Sequence, residues 1–467
     1  MIRVSQFHIE NVGPFKKQVF DFDIEKENPD IHILTGPNGS GKTSILHSIA
    51  SGFDYFENNH KEHVSNLLYK RFIFFEDDKK GMAKSFAHTT LRDKFSQKIV
   101  DKIAIFGCKK CGNIHQNYEK IISNSSHISK NENNYRWESH YEGLRNYKRS
   151  IVSKNLTNKK IEFAAFGYSG YRMINSSVIQ FDTEQDFNPL HLALEFVKDK
   201  NTGYLVSNWI VSRYSKAAIE RTRGNEQIAN KYMEGVDCLL NGLNELTNNE
   251  FSFEVKTDPW KVIINYHNNE IEFDVLPDGL RSLLSWLGDL LMRLDEIPWF
   301  DKSIPVNKQN IILLLDEIEV HLHPKWQYYI LPLTRKLFPN AQIFLSTHSP
   351  FVINSIDNAK IYMLESKSGH SHIRETKLSN TGHSYEYIYE NILETYNRFG
   401  TEAMNKLKRY NELEKEIIKE NYSIENDFIE IIDQLKEEGE EVFDVVSSKL
   451  FRIKRVTGKD YLNGENK

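Results

Sequence analysis

GPNGSGKT (residues 36–43) is the stretch whose reading decides the fold. It fits G-x-x-x-x-G-K-[ST], is entered from the apolar run IHILT (31–35), and continues as SILHSIASGF (44–53), which reads as a helix. Strand, glycine-rich turn and helix in this order make a phosphate loop. Glycines let the backbone wrap an anion so that successive amide N–H groups converge on its oxygens at a helix N-terminus. Asn38, Gly39, Ser40 and Gly41 are therefore expected to cradle the phosphates of ATP. Lys42 is expected to reach the β/γ oxygens, and the Thr43 hydroxyl to ligate Mg²⁺.

The loop needs an acidic partner, and the sequence offers one 274 residues after Lys42. IILLLDE (311–317) is a run of aliphatics ending in two carboxylates. A strand apolar on both faces suits the centre of a parallel sheet. Asp316 is then expected to hold Mg²⁺ through water, and Glu317 to orient or deprotonate the attacking water. FLSTHSP (344–350) supplies a further strand, and His348 follows Glu317 by 31 residues, the length of one helix and one strand. Its ring is a candidate for contact with the γ-phosphate.

Working outward, the chain has 467 residues, room for two or three domains or one elaborated one. Hydrophobic residues at 39% and aromatics at 12% are enough for a sizeable core, which excludes a disordered chain. A net charge of −5 excludes a basic coat over the whole surface. No run approaches 18 apolar residues, so no membrane-spanning helix is expected, and MIRVSQFHIENVGPF (1–15) lacks the apolar stretch of a signal peptide. Three cysteines make no disulfide framework and point to a reducing cytoplasm. Four segments follow from the texture: an N-terminal core with the phosphate loop (1–56), a basic insertion (57–160), the remainder of the core (161–383) and an acidic helical extension (384–467). The insertion carries 21 basic against 11 acidic residues, the extension 13 against 19.

The order GPNGSGKT, LPDGLRS (276–282), LLLDEIEVHLHP (313–324), FLSTHSP resembles the ABC-type ATPases of the RecF/SMC/OLD branch. Within that branch IENVGPF (9–15), FAAFGYSGYR (163–172) and the compact tail look most like the PtuA ATPases of Septu antiphage systems. The resemblance implies an α/β head with a mixed central sheet, an inserted basic region, a helical lobe around 185–250 leading to the signature loop, and a helical C-terminal extension. It also implies a homodimer at least, in which the signature loop of one protomer, through Gly279, Arg281 and Ser282, caps the ATP held by the other. The implied partner is a separate HNH nuclease resembling PtuB, with nucleic acid engaged by the complex. Pro277 stands where the signature serine is usual, and Leu280 where a polar residue is usual; proline brings no donor. ATP binding is thus expected more than rapid hydrolysis. Gln180 is a candidate for the usual glutamine after the first lobe.

Other features allow more than one reading. In GCKKCGNIH (107–115), Cys108 and Cys111 have the spacing of two zinc ligands, with His115 in reach and His127, His140 or a second protomer's pair to complete the set. They could equally be reduced thiols in an insertion. His321 and His323 form an H-x-H pair, but the resemblance places them in the loop after the catalytic glutamate. Rings among the basic residues of the insertion (69–75, 134–137, 146–149) suit nucleic acid, or a solvated face. EEGEEVFD (437–444) has the acidity of a Toprim nuclease loop inside a segment that reads as helix. Three functions remain open: the regulatory ATPase of an antiphage nuclease complex, a RecF-like repair ATPase, and an ATP-locked scaffold.

Overall fold

The computed structural model describes residues 1–22, 30–54, 68, 71, 82–108, 113–118, 142–151, 153, 156, 160–170, 188–194, 196, 202–248, 251–266, 269–394, 399–419 and 422–461. Within these, only the backbone is described for 82–85, 106–108, 113–118, 142 and 145. The chain divides into two compact units, Met1–Ile388 and Tyr389–Lys467.

The first unit begins with β1 (Ile2–Val12) and β2 (Phe15–Asp21), an antiparallel hairpin. Then come β3 (Ile31–Thr35) and α1 (Lys42–Phe53), which flank the phosphate loop. β4 (Met82–Asp93), β5 (Ile99–Cys108) and β6 (Asn113–Tyr118) fall inside the stretch read as a basic insertion. They extend the first hairpin into a five-stranded antiparallel sheet of order β2-β1-β4-β5-β6. Alternation explains its buried face: Phe7, Thr89 and Ile103 lie in register across three strands, as do Ile9, Ala87 and Ile105, all fully buried. α1 packs against this face, with the Gly52 Cα so close that a Cβ there would stand 3.4 Å from Thr89 Oγ1.

After α2 (Glu142–Ile151) and β7 (Ala164–Tyr168), a helical lobe is formed by α3 (Thr202–Thr222) and α4 (Glu226–Thr247). It is followed by a small antiparallel sheet of β8 (Ser252–Thr257), β9 (Trp260–Tyr266) and β10 (Asn269–Ile271), which the sequence reading did not anticipate. α5 (Asp278–Leu283) carries the signature segment and runs through a π-helical turn at 284–288 into α6 (Asp289–Glu296). β11 (Ile311–Leu315), α7 (Pro324–Leu337), β12 (Ala341–Ser346), α8 (Pro350–Ile353), β13 (Lys360–Lys367) and β14 (His370–Leu378) complete the core. α9 (Tyr385–Asn391) lies at the junction with the second unit.

The central sheet has the order β14-β13-β3-β12-β11-β7. All neighbours are parallel except β13 and β14, so the sheet is mixed. Every residue of IHILT, IILLL and AQIFLS is buried, because the three central strands are covered on both faces. A buried polar bracket joins the two sheets. Gln342 of β12 accepts from Val4 N–H at 2.7 Å and donates to Val4 O at 2.8 Å, imitating a strand pair. Arg3, also buried, reaches Asp30 Oδ2 at 2.6 Å, Asn310 Oδ1 at 2.6 Å and the Asn340 carbonyl at 2.8 Å.

The second unit is helical: α10 (Thr401–Ile418), α11 (Glu425–Glu437) and α12 (Glu440–Thr457). Tyr410, Ile417, Phe428, Leu435, Val446 and Ile453 meet in its own core. Residues 437–444 form the end of α11, a turn at Gly439 and the start of α12, a helix–turn–helix with no strand for a Toprim loop.

Candidate functional site

The site lies where β3, β12 and β11 end side by side. The phosphate loop follows β3 with Gly36, Gly39 and Gly41 all at positive φ (144°, 81° and 94°). At Gly36 a Cβ would stand 2.3 Å from the Leu364 carbonyl oxygen, so only glycine fits. Gly41 caps α1 with no side-chain hydrogen bond, leaving the leading amides of the helix to an anion. The Ser40 hydroxyl is buried in the loop and has no hydrogen-bond partner. Lys42 is buried and donates to the carbonyls of Gly36 at 2.9 Å and Pro37 at 3.2 Å. Burial lowers its pKa, and the nearby carboxylates of Asp316, Glu317 and Glu319 oppose that shift.

Thr43 is the second residue of α1, and its hydroxyl donates to Asp316 Oδ2 at 2.8 Å. The other oxygen of Asp316 accepts from Ser346 Oγ at 2.5 Å. Glu317 follows with φ 48°, a left-handed conformation that costs a residue with a Cβ about 1–2 kcal/mol. Its amide is held by Ser346 Oγ at 2.8 Å, and Gly170 lies against it: a Cβ there would be 2.9 Å from Glu317 Cβ. His348 is exposed just beyond β12. Partial burial of its ring and the charge of Lys42 lower its pKa, while the charge of Asp316 opposes that shift. The His348 amide donates to Glu319 Oε1 at 2.6 Å, and the Ser349 hydroxyl to Gln327 Oε1 at 2.6 Å. Glu319 Oε2 is buried without a hydrogen-bond partner, and burial pushes this carboxyl upward.

The structure thus brings together Lys42, Thr43, Asp316, Glu317 and His348. Hydroxyl and carboxylate oxygens on facing elements are a donor set that suits a hard cation such as Mg²⁺. Gly279, Arg281 and Ser282 lie elsewhere, at the start of α5, with Gly279 against the chain that follows Glu317. A Cβ on Gly279 would stand 2.9 Å from the His321 carbonyl oxygen and 3.0 Å from the Trp326 ring. Arg281 lies 3.6 Å from Asp278, and Ser282 is buried. Pro277 precedes α5 as its N-cap, with no side-chain bond to the helix.

His323 is also a helix cap: its Nδ1 accepts from Lys325 N–H at 3.2 Å at the start of α7. His321 sits at φ 67° in the preceding loop. Among the described residues no group of three or more His, Cys, Asp or Glu could hold a metal. The zinc candidates lie outside what is described: Cys111, His127 and His140 entirely, Cys108 and His115 beyond their backbone in the β5–β6 hairpin. Gln180 also lies outside the described residues.

Sequence reasoning missed Ser346, although FLSTHSP was read for its histidine. It also missed Glu319 and Arg71, whose guanidinium donates to Ser44 Oγ at 2.9 Å behind the phosphate loop. The support of β7 was missed too: Tyr168 O accepts from Asp316 N–H, and Tyr168 OH donates to Asp289, which Arg293 also holds at 2.7 Å.

A phosphate loop after one parallel strand, an Asp–Glu pair after another and a histidine after the strand between them define an α/β P-loop ATPase of ABC type. The chain belongs to the AAA ATPase domain family AAA_15, whose model matches residues 2–353. It is 24% identical to the Septu protein PtuA of Bacillus thuringiensis over 76% of this chain and 74% of that protein. It is 22% identical to the Retron Ec83 probable ATPase of Escherichia coli, over 91% and 82% of the two chains. A Retron Vc95 probable ATPase of Vibrio cholerae serotype O1 biovar El Tor is 23% identical over 78% and 74%. Among solved structures, an SMC head bound to the C-winged helix domain of ScpA aligns at TM-score 0.45 and 11% identity, covering 80% of this chain and 97% of that one. The SMC head of Thermotoga maritima aligns at 0.40 and 13%, covering 80% and 99%. No helix among the described residues is long and apolar enough to cross a membrane.

Proposed function

We propose that this ATPase closes as a homodimer around ATP–Mg²⁺ and uses nucleotide state to control a partner HNH nuclease resembling PtuB in antiphage defence. The observation that carries the nucleotide half is the Thr43–Asp316 hydrogen bond directly beneath a glycine loop with uncapped amides. The loop amides and Lys42 bind the phosphates, and Mg²⁺, when bound, would neutralise negative charge developing on them. Thr43 and Asp316 are the residues that would hold the ion. Glu317 takes the proton from, or orients, the attacking water, and His348 reaches toward the γ-phosphate. Gly279, Arg281 and Ser282 of one protomer meet the nucleotide of its partner.

The nuclease half is supported by the similarity to PtuA and to retron ATPases. Nucleic acid is then engaged by the complex, with the basic stretch 57–160 as its contact and the acidic helical extension 384–467 as the nuclease's dock. Pro277 favours slow turnover, since it offers no donor where a signature serine would. An ATP-held scaffold is its limiting form.

The test is to purify the chain with the products of its neighbouring genes and record complex mass and DNA cleavage with and without ATP–Mg²⁺. Cleavage that changes with nucleotide and stops responding in Lys42→Ala supports the reading. DNA-stimulated hydrolysis by the chain alone, with no nuclease attached, moves the assignment to a RecF-like repair ATPase.

A further inference from the structure

We infer that Ser346 is a positioning residue for both halves of the hydrolytic pair, holding Asp316 for the metal and Glu317 for the attacking water through one hydroxyl. The inference rests on the nucleotide site proposed above.

β12 runs between the strand that feeds the phosphate loop and the strand that ends in the acids. Its last residue therefore has a neighbour on each side. Ser346 is in register with Leu34 of β3, and Leu345 with Leu315 of β11, so Ser346 stands beside Asp316 one step beyond the ladder. The side chain is fully buried. A serine hydroxyl has one proton to give and lone pairs to accept with. Here the proton goes to Asp316 Oδ1 at 2.5 Å, and a lone pair takes the Glu317 amide at 2.8 Å.

Two consequences follow from the geometry. Asp316 has a hydroxyl on each oxygen, Thr43 on Oδ2 and Ser346 on Oδ1, so its plane is fixed before a metal arrives. Ligand carboxylates are commonly oriented by outer partners in this way, and loss of such a partner weakens metal binding or activity about 10–100-fold. Glu317 sits at φ 48°, and the hydrogen bond its N–H donates to Ser346 Oγ supports that backbone conformation and hence the direction of its side chain. Valine at this position would continue β12 at least as well, so the strand itself does not call for a hydroxyl. The register next to Asp316 does.

The experiment measures Mn²⁺ affinity by electron paramagnetic resonance with a non-hydrolysable ATP analogue, alongside kcat, KM, metal-free nucleotide affinity and thermal stability. In S346A the Mn²⁺ Kd should rise and kcat should fall, each by about tenfold or more, with metal-free nucleotide affinity unchanged. S346T, which keeps the hydroxyl, should restore both. S346C keeps nearly the volume of serine with a weak donor and acceptor, and should give the same losses if S346A does not fold. Mn²⁺ affinity and kcat at wild-type values in S346A or S346C would overturn the role of Ser346 alone. A loss of metal-free nucleotide binding in step with melting temperature would show a merely structural residue. Wild-type protein that binds no nucleotide–Mn²⁺ would remove the site reading itself.

Discussion

The Thr43 hydroxyl and Asp316 Oδ2 meet at 2.8 Å across 273 residues of chain, so the phosphate loop and the acidic strand are joined within a single protomer. Whatever a second protomer adds, this half of the site is assembled by the fold itself. The fold does this by placing one strand, β12, between the two that end in chemistry.

Removing this link should separate metal-dependent from metal-independent binding. Thr43→Ala is expected to leave ATP-analogue affinity in EDTA unchanged and to weaken it about 10–100-fold in Mg²⁺. Titration calorimetry in the two buffers decides this. Equal affinity in Mg²⁺ for variant and wild type would contradict the assignment of Thr43 to the ion.

The bracket between the sheets is expected to matter for stability. Gln342→Leu removes a side chain that satisfies both Val4 N–H and Val4 O, and leaves those buried groups unpaired. An unsatisfied buried donor or acceptor costs about 1–3 kcal/mol. Urea unfolding monitored by tryptophan fluorescence should show a loss in that range. A variant as stable as wild type would mean that the Val4 backbone finds other partners.

The motifs were legible because their chemistry is local. GPNGSGKT shows a glycine at every position where the backbone takes positive φ, and IILLLDE shows a strand buried on both faces. The pairing of β4 and β5 was not legible, since a polar, lysine-rich stretch hides strands whose buried Ala87, Leu91, Ile103 and Ile105 only make sense in one sheet with β1. Ser346 was hidden for a related reason. A hydroxyl at a strand end gains its meaning from the neighbouring strand, and that register is a tertiary fact. The hairpin β8–β10 was passed over because three short strands between helices give weak alternation.

One buried cation should leave a mark on pH dependence. Lys148 of α2 is buried, and burial lowers its pKa to about 7 although Asp54 and Asp101 oppose the shift. Between that value and 10.5 the unfolded chain holds the proton and the folded chain has released it. Stability should therefore rise as pH climbs from about 7 toward 10.5, by at most about 1.4 kcal/mol per pH unit for this group. Lys148→Met should remove this rise. The check is denaturant unfolding of both proteins from pH 7 to 9.5; parallel profiles would show that Lys148 keeps its proton in the folded state.

The signature segment gives the sharpest test of dimer closure. Gly279 is buried at the start of α5, where a Cβ would press on the His321 carbonyl at 2.9 Å and the Trp326 ring at 3.0 Å. Both belong to the segment that follows Glu317, so the signature segment packs against the chain just after that acid. Gly279→Ala must shift either the helix start or that loop by a few tenths of an ångström. The phosphate loop lies on other elements, so each protomer should still bind ATP with wild-type affinity. What should fail is the capping of a partner's nucleotide. In a Glu317→Gln background, where hydrolysis is blocked and ATP retained, light scattering should show an ATP-dependent doubling of mass. Adding Gly279→Ala should abolish it. A dimer that forms equally well with alanine at 279 would mean that the signature loop does not close the site, and that protomers associate through another surface.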